Sequence, residues 1–483
     1  MGNGAQQSKA PAIAIMGCGF AGIGLAIALK KAGIDGFTIY ERASEVGGVW
    51  RDNHYPGAAC DVPSRLYAYS FEPEYRWSAP YAPQPDILAY IRHCVAKYAL
   101  APHIRFDTNI AQAAFDEGPR RWRLETADGV RFDADILVSA VGLFNRPAYP
   151  DIAGRARFAG AQFHSADWHH DFDFAGKSVA IIGTGASAVQ FVPEIAKIVE
   201  RLYLFQRTPQ YVLPRLARNT DMEAGSPLAH RIERLRIFWE FEWGTRRRRS
   251  AKLTAEGQQA LLGYLEAQVA DPVLRAKLTP DYRLGCKRVL FSNDWYGALQ
   301  RANVEVVDSP IDALTERGVR TGDGRERRVD AVIYGTGFAP ANFLSGLRIA
   351  GLGGRDLAHA WRGGAEAYLG IAVSGFPNFF MMYGPNTNTA VSIIFMLESQ
   401  ARYIVSAIRR LARSGGAMNL RADVQRRFNA EVQRRIGRTV VADANCDTYF
   451  RAPSGKITTQ WPGHLLEYKF RTSRIRARDY EFA

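Results

Sequence analysis

Cysteine is scarce in this chain of 483 residues: Cys18, Cys60, Cys94, Cys286 and Cys446 are all there is. They are scattered, odd in number and include no C-x-x-C pair. That pattern argues against a disulfide framework, against a zinc site (no metal is expected) and against a dithiol flavin reductase, and it points to a reducing compartment. Long apolar runs are also missing. None reaches the roughly 18 residues of a membrane-spanning helix, so no integral membrane segment is expected. Residues 1–9 lack the apolar core of a signal peptide and read as a disordered tail. These absences together indicate a cytoplasmic protein. Neither repeats nor low-complexity tracts occur. Acidic residues are outnumbered, 48 against 62 Lys and Arg, for a net charge of +14. The arginines are spread along the chain, which fits phosphate-bearing small molecules and solvated surface and speaks against a nucleic-acid partner. The one dense run, Arg246 to Arg249, follows Phe238, Trp239, Phe241 and Trp243. It reads as an exposed helix end or loop, with a membrane-surface contact as the lesser alternative.

Hydrophobic residues make up 47%, enough for the cores of two or three domains. Pro11 to Met16 reads as a buried parallel strand, followed by Gly17-Cys18-Gly19-Phe20-Ala21-Gly22 and an apolar helix. In such a turn the first glycine permits the bend, the second admits a pyrophosphate to the backbone and the third lets helix and strand pack. The helix N-terminus then faces the phosphates. A second strand, Phe37 to Tyr40, ends at Glu41, 24 positions after Gly17, where an acid accepts from ribose hydroxyls. The unit recurs as Gly183-Thr184-Gly185-Ala186-Ser187-Ala188, with strand Leu202 to Phe205 leading to Gln206-Arg207-Thr208. Arg207 also lies 24 positions after its first glycine. An arginine there grips a 2′-phosphate that an acid would repel. The first unit is therefore expected to take FAD and the second NADPH in preference to NADH.

The expected fold is α/β, with two Rossmann-like dinucleotide-binding domains. The FAD domain is split, 10–150 and 331–483, around an NADP domain at 151–330 that carries a helical insertion at about 215–280. The strands Asp135 to Gly142 and Asp330 to Gly337 resemble each other and suit strands returning to a nucleotide-binding sheet. Ile311 to Asp330 reads as a strand pair. The Gly- and Pro-rich loop from Gly47 to Asp61 follows the first unit directly, which favours function over surface excursion. Candidate cofactor contacts are Gly17, Gly19, Phe20, Gly22, Glu41, Arg42, Gly48, Val49, Trp50, Tyr55, Asp61, Val62 and Tyr67 for the first unit. For the second they are Gly183, Thr184, Gly185, Ala186, Ser187, Arg207, Thr208 and Lys287, with Gly337 and Phe338 at the return crossing.

Phe158, Gly160, His164 and Trp168 form F-x-G-x-x-x-H-x-x-x-W, and Gly48, Trp50, Tyr55, Pro56, Gly57 and Asp61 form a second signature. Gln206 to Pro209, Tyr368-Leu369-Gly370 and Gly375 to Asn378 extend the match. With these motifs, nearly the whole chain resembles the class B flavoprotein monooxygenases of Baeyer–Villiger type. The resemblance implies oxidation of a ketone by O2 to an ester or lactone, with FAD, NADPH and a C4a-peroxyflavin. It implies catalytic roles for Asp61, the carboxylate beside the flavin, and Arg288, the cation facing the peroxide. It assigns Arg207 and Lys287 to the 2′-phosphate and His164 to domain coupling. His169 departs from the Pro or Asp that ends the family fingerprint. It keeps open an N- or S-oxygenase acting on amines or sulfides, and a non-catalytic nucleotide sensor stands as a third reading. The segment from Asn445 to Gly463 is placed as a cover of the active site.

Overall fold

The computed structural model describes residues 11–483 except 216–225, 248–250, 340–342, 345, 390, 444, 447 and 453. The tail at 1–9 and part of the arginine run, Arg248 and Arg249, lie outside the described residues. Two five-stranded parallel sheets dominate. In the first, the order is Phe379–Met381, Ile136–Ser139, Ile13–Met16, Phe37–Tyr40, Ile104–Arg105. In the second it is Val304–Val307, Arg201–Phe205, Ser178–Ile182, Ala331–Tyr334, Ala161–His164. The central strands are apolar without alternation, and Ile13–Met16, Ile136–Ser139 and Ala331–Tyr334 are buried at every residue. Covering of both sheet faces accounts for that pattern. The helix Phe20–Lys31 packs on one face of the first sheet and against the long helix Ile393–Ser414. An antiparallel layer, Ile110–Asp116, Arg121–Thr126 and Arg131–Ala134, seals the other face through Trp122, Phe379 and Leu137.

The strand Ala331–Tyr334 corrects the boundary drawn from the sequence. It pairs with Ser178–Ile182 and Ala161–His164, so it belongs to the second sheet, and the chain returns to the first sheet only after it. Its likeness to Ile136–Ser139 is explained by position. Each lies beside the glycine-turn strand of its own sheet. The stretch before it forms three antiparallel strands, Ile311–Leu314, Gly318–Thr321 and Glu326–Arg328, one more than the pair read from the sequence.

The insertion folds as helices Pro227–Arg247, Ala251–Gln268 and Pro272–Leu278. It joins the two halves. Ile237 and Phe238 enter the core of the first sheet, whereas Leu265, Val269 and Leu278 enter that of the second. A second correction concerns cysteine. Cys286 and Cys446, 160 residues apart, form a disulfide, and Cys18, Cys60 and Cys94 are free and buried. Spacing carried no signal for a pair that the fold alone brings together. Among the described residues, no helix is long and apolar enough to cross a membrane.

Candidate functional site: a cleft between two glycine turns

Gly17 has φ +102°, and a Cβ on it would stand 2.7 Å from the carbonyl oxygen of Ala140. Gly183 has φ +110°, and its Cβ would stand 2.4 Å from the oxygen of Gly335. Both positions therefore require glycine, for conformation and for space. Each turn opens a helix whose N-cap, Gly19 or Gly185, offers no side-chain acceptor, and neither first turn carries an acid. The unpaired N–H groups and positive helix ends are left for an anion. Gly22 lies behind the turn, where a Cβ would fall 2.0 Å from the oxygen of Gly17. It is the packing glycine and does not reach the cleft. Every other residue singled out above as catalytic or cofactor-binding lines one cleft of about 1280 Å³ between the two units.

In the first unit Glu41 is buried, and its carboxylate accepts from the N–H of Cys18 at 2.8 Å and of Ala43 at 3.1 Å. Arg51 flanks it at 3.4 Å. Thus Glu41 braces the glycine turn while it faces the cleft, as a ribose acceptor must. Arg42 is exposed beside it. Gly48, at φ +54°, brings its backbone over Gly19, where a Cβ would sit 3.3 Å from the Gly19 Cα. Trp50 Nε1 donates to the Tyr67 hydroxyl at 2.9 Å, and Phe20 meets Tyr67 edge-on. The bare glycine turn, the open helix end and the acid fit a flavin dinucleotide.

In the second unit Arg207 stands exposed on the cleft, with no acidic partner among the described residues. The Lys287 ammonium lies 4.9 Å from the Tyr282 ring centre on the same cleft. Thr184 Oγ1 donates to the Thr208 carbonyl at 3.1 Å and ties the turn to the strand end. Two cations beside an open helix N-terminus fit a phosphorylated dinucleotide.

Between the units, Arg288 Nε and Nη2 both donate to Asp61 Oδ2, at 3.0 and 2.5 Å. The Asp61 carboxylate raises the guanidinium further above the ordinary arginine value. Arg288 is thereby a fixed cation in the cleft wall.

The fingerprint residues lie elsewhere. His164 is wholly buried, accepts at Nδ1 from the Ala166 N–H at 3.1 Å and touches the rings of Tyr149 and Phe338. Burial lowers its pKa. Trp168 packs among Tyr55, Phe163, Phe174 and Phe191. Neither lines the cleft. Gly160 is required because a Cβ would sit 2.3 Å from the oxygen of Asp330. His169 stacks on Phe163, with ring centres 4.6 Å apart, at the surface. At the return crossing the Gly337 carbonyl accepts from the Ala148 N–H, and Phe338 bridges to Pro147.

Sequence reasoning missed Gln190. Its Oε1 accepts from Tyr55 Oη at 3.0 Å and its Nε2 donates to the Ala59 carbonyl at 2.9 Å, so the loop before Asp61 is docked on the second unit. A glutamine in a helix carries no pattern that could have announced it. Also unanticipated on the cleft wall are Ile393, Leu397 and Tyr383, which pack in one apolar cluster, and Leu347. Of the C-terminal segment, Thr448 and Tyr449 reach the cleft.

Residues 14–213 match the sequence pattern of the pyridine nucleotide-disulphide oxidoreductases. A Baeyer–Villiger monooxygenase of Streptomyces coelicolor is 42% identical over 485 residues, 97% of this chain and 92% of its own. Among solved structures, an oxidized steroid monooxygenase bound to NADP has a TM-score of 0.86 at 30% identity, covering 98% of this chain and 99% of that one. The OTEMO complex with FAD and NADP has a TM-score of 0.89 at 27% identity, covering 99% and 100%. On this full-length identity, and with two glycine turns opening on one cleft, the chain belongs to the Baeyer–Villiger monooxygenases.

Proposed function

We propose that the cleft binds FAD at the first glycine turn and NADPH at the second, and that the enzyme uses O2 to convert a ketone to an ester or lactone. The observation that carries this reading is the Asp61–Arg288 pair, set in one cleft with two helix N-termini that have no capping side chain. The chemistry supplied by the bound cofactors is hydride transfer from NADPH to FAD and activation of O2 by the reduced flavin.

The protein's own part follows from its residues. The N-terminus of Phe20–Lys31 and Glu41 hold pyrophosphate and ribose of one nucleotide. The N-terminus of Ala186–Ile195, Arg207 and Lys287 hold the other and its 2′-phosphate. Arg288 offers a preorganised positive charge where negative charge develops on oxygen, and Asp61 fixes its orientation. The guanidinium keeps its proton throughout. The apolar side chains of Ile393 and Leu397 receive a hydrophobic ketone and exclude water from the reacting oxygen. This chemistry suits an enzyme that acts on a small apolar substrate.

Incubation with NADPH, ¹⁸O2 and a panel of cyclic ketones tests the proposal by mass spectrometry. The expected product is a lactone carrying one labelled oxygen per NADPH consumed. NADPH-dependent reduction of the ketone to an unlabelled alcohol would overturn it.

A further inference from the structure

The cysteine pair lies beside the most chemically loaded residue of the cleft. Cys286 precedes Arg288 by two positions, and Cys446 precedes Tyr449 by three. Both Arg288 and Tyr449 line the cleft. The two sulfurs are bonded within a small cluster formed by Tyr211, Leu261 and Tyr282. The bond therefore joins the segment that carries Lys287 and Arg288 to the C-terminal segment that carries Tyr449.

Other anchors of the Arg288 segment include the two bonds from Arg288 to Asp61 and that from the Leu284 N–H to Gln258 Oε1 at 3.0 Å. On its C-terminal side, the Leu290 N–H donates to the Tyr211 carbonyl at 2.9 Å in a two-stranded pairing. Before it lies Gly285 at φ +96°, a conformation that favours glycine. A further tie between the same two segments is the ion pair of Arg283 with Asp443 at 3.2 Å, and Arg283 is more than half exposed there. Exposed pairs of that kind hold a segment weakly. Arg451 donates to the carbonyls of Val441 and Asp443 and thus shapes the C-terminal segment internally, without linking it to Arg288. Among the described residues, the disulfide is the covalent tie between the Arg288 segment and the segment of Tyr449.

We propose that the Cys286–Cys446 disulfide positions Arg288 and Tyr449 for oxygen insertion, so that its reduction uncouples NADPH oxidation from product formation. The inference rests on the oxygenase reading above. On reduction, the S–S bond takes two electrons and two protons from a dithiol, which is oxidised to its own disulfide, and Cys286 and Cys446 become thiols. The Arg288 segment then keeps its strand anchor, the bonds from Arg288 to Asp61 and the weak ion pair, and it loses its covalent tie to the segment of Tyr449. Water enters at that end of the cleft, and the reducing equivalents of NADPH leave as hydrogen peroxide.

The test uses the FAD-loaded full chain. Thiol titration of unreduced, denatured protein is expected to find only Cys18, Cys60 and Cys94 reactive, and five reactive thiols would overturn the proposal. Ester and peroxide formed per NADPH are then compared before and after treatment with a small dithiol, and in the double variant Cys286→Ser, Cys446→Ser. Reduced protein and variant should shift severalfold from ester to peroxide while retaining FAD and NADPH affinity. Reoxidation should restore the wild type and leave the variant unchanged. Equal coupling in all states would overturn the positioning role, as would loss of the circular dichroism spectrum on reduction, which would make the bond a folding element. Absence of ester from the oxidised protein would instead remove the oxygenase reading on which the inference stands.

Discussion

Tyr55 donates its hydroxyl proton to Gln190 Oε1 at 3.0 Å, linking the loop that carries Asp61 to the first helix of the second glycine-turn unit. Gln190 also bonds Ala59, two residues before Asp61. Gln190→Ala removes one partner of the buried Tyr55 hydroxyl and leaves the Ala59 carbonyl unpaired, at a cost of about 1–3 kcal/mol. Chemical denaturation should show that loss. Because the joint sets where Asp61 lies, the variant should also make more peroxide per NADPH than the wild type.

The two glycine turns separate the two nucleotides. Gly17→Ala places a methyl against Ala140 and should yield a colourless protein that no longer retains FAD. Gly183→Ala meets Gly335 and should stay yellow but be reduced poorly by NADPH. Absorbance after purification and anaerobic titration with NADPH distinguish them. A yellow Gly17→Ala protein with normal flavin would show that the assignment of the turns is reversed.

Arg207 should decide between the nicotinamide cofactors. A charge-assisted hydrogen bond to the 2′-phosphate is worth about 1.5–3 kcal/mol, so Arg207→Ala should raise the KM for NADPH roughly tenfold or more. The KM for NADH should hardly move. Steady-state kinetics with both cofactors is the check, and equal effects would remove the 2′-phosphate role.

His164 gives the fold a pH dependence. Burial lowers its pKa below the ordinary 6.5. The unfolded chain therefore binds a proton that the folded one refuses, so this contribution to stability is full above about pH 6.5 and is lost as pH falls through the folded value. Asparagine keeps an acceptor for the Ala166 N–H without the titration. The stability of His164→Asn should therefore fall less than that of wild type between about pH 7.5 and 5.5, measured by denaturation at each pH.

What the sequence disclosed was local. Gly17 and Gly183, with Glu41 and Arg207 at equal offsets, are legible because strand, turn, helix and next strand lie within a few dozen residues. Asp61 and Arg288 stand 227 positions apart, and only the family resemblance marked them as a pair. The strand Ala331–Tyr334 was assigned to the wrong sheet for a physical reason. Buried parallel strands share one pattern, and hydrogen-bond partners decide membership. Cys286 and Cys446 show the same limit, as do Gln190 and the apolar wall of Ile393 and Leu397, since long-range packing leaves no spacing to read.

Arg288→Ala tests the central claim most directly. The variant should bind both cofactors and oxidise NADPH, because neither glycine turn is touched. Ester formation from a ketone accepted by the wild type should fall roughly a hundredfold or more, with hydrogen peroxide accounting for the NADPH consumed. Ester formation at the wild-type rate would contradict the role given to the Asp61–Arg288 pair.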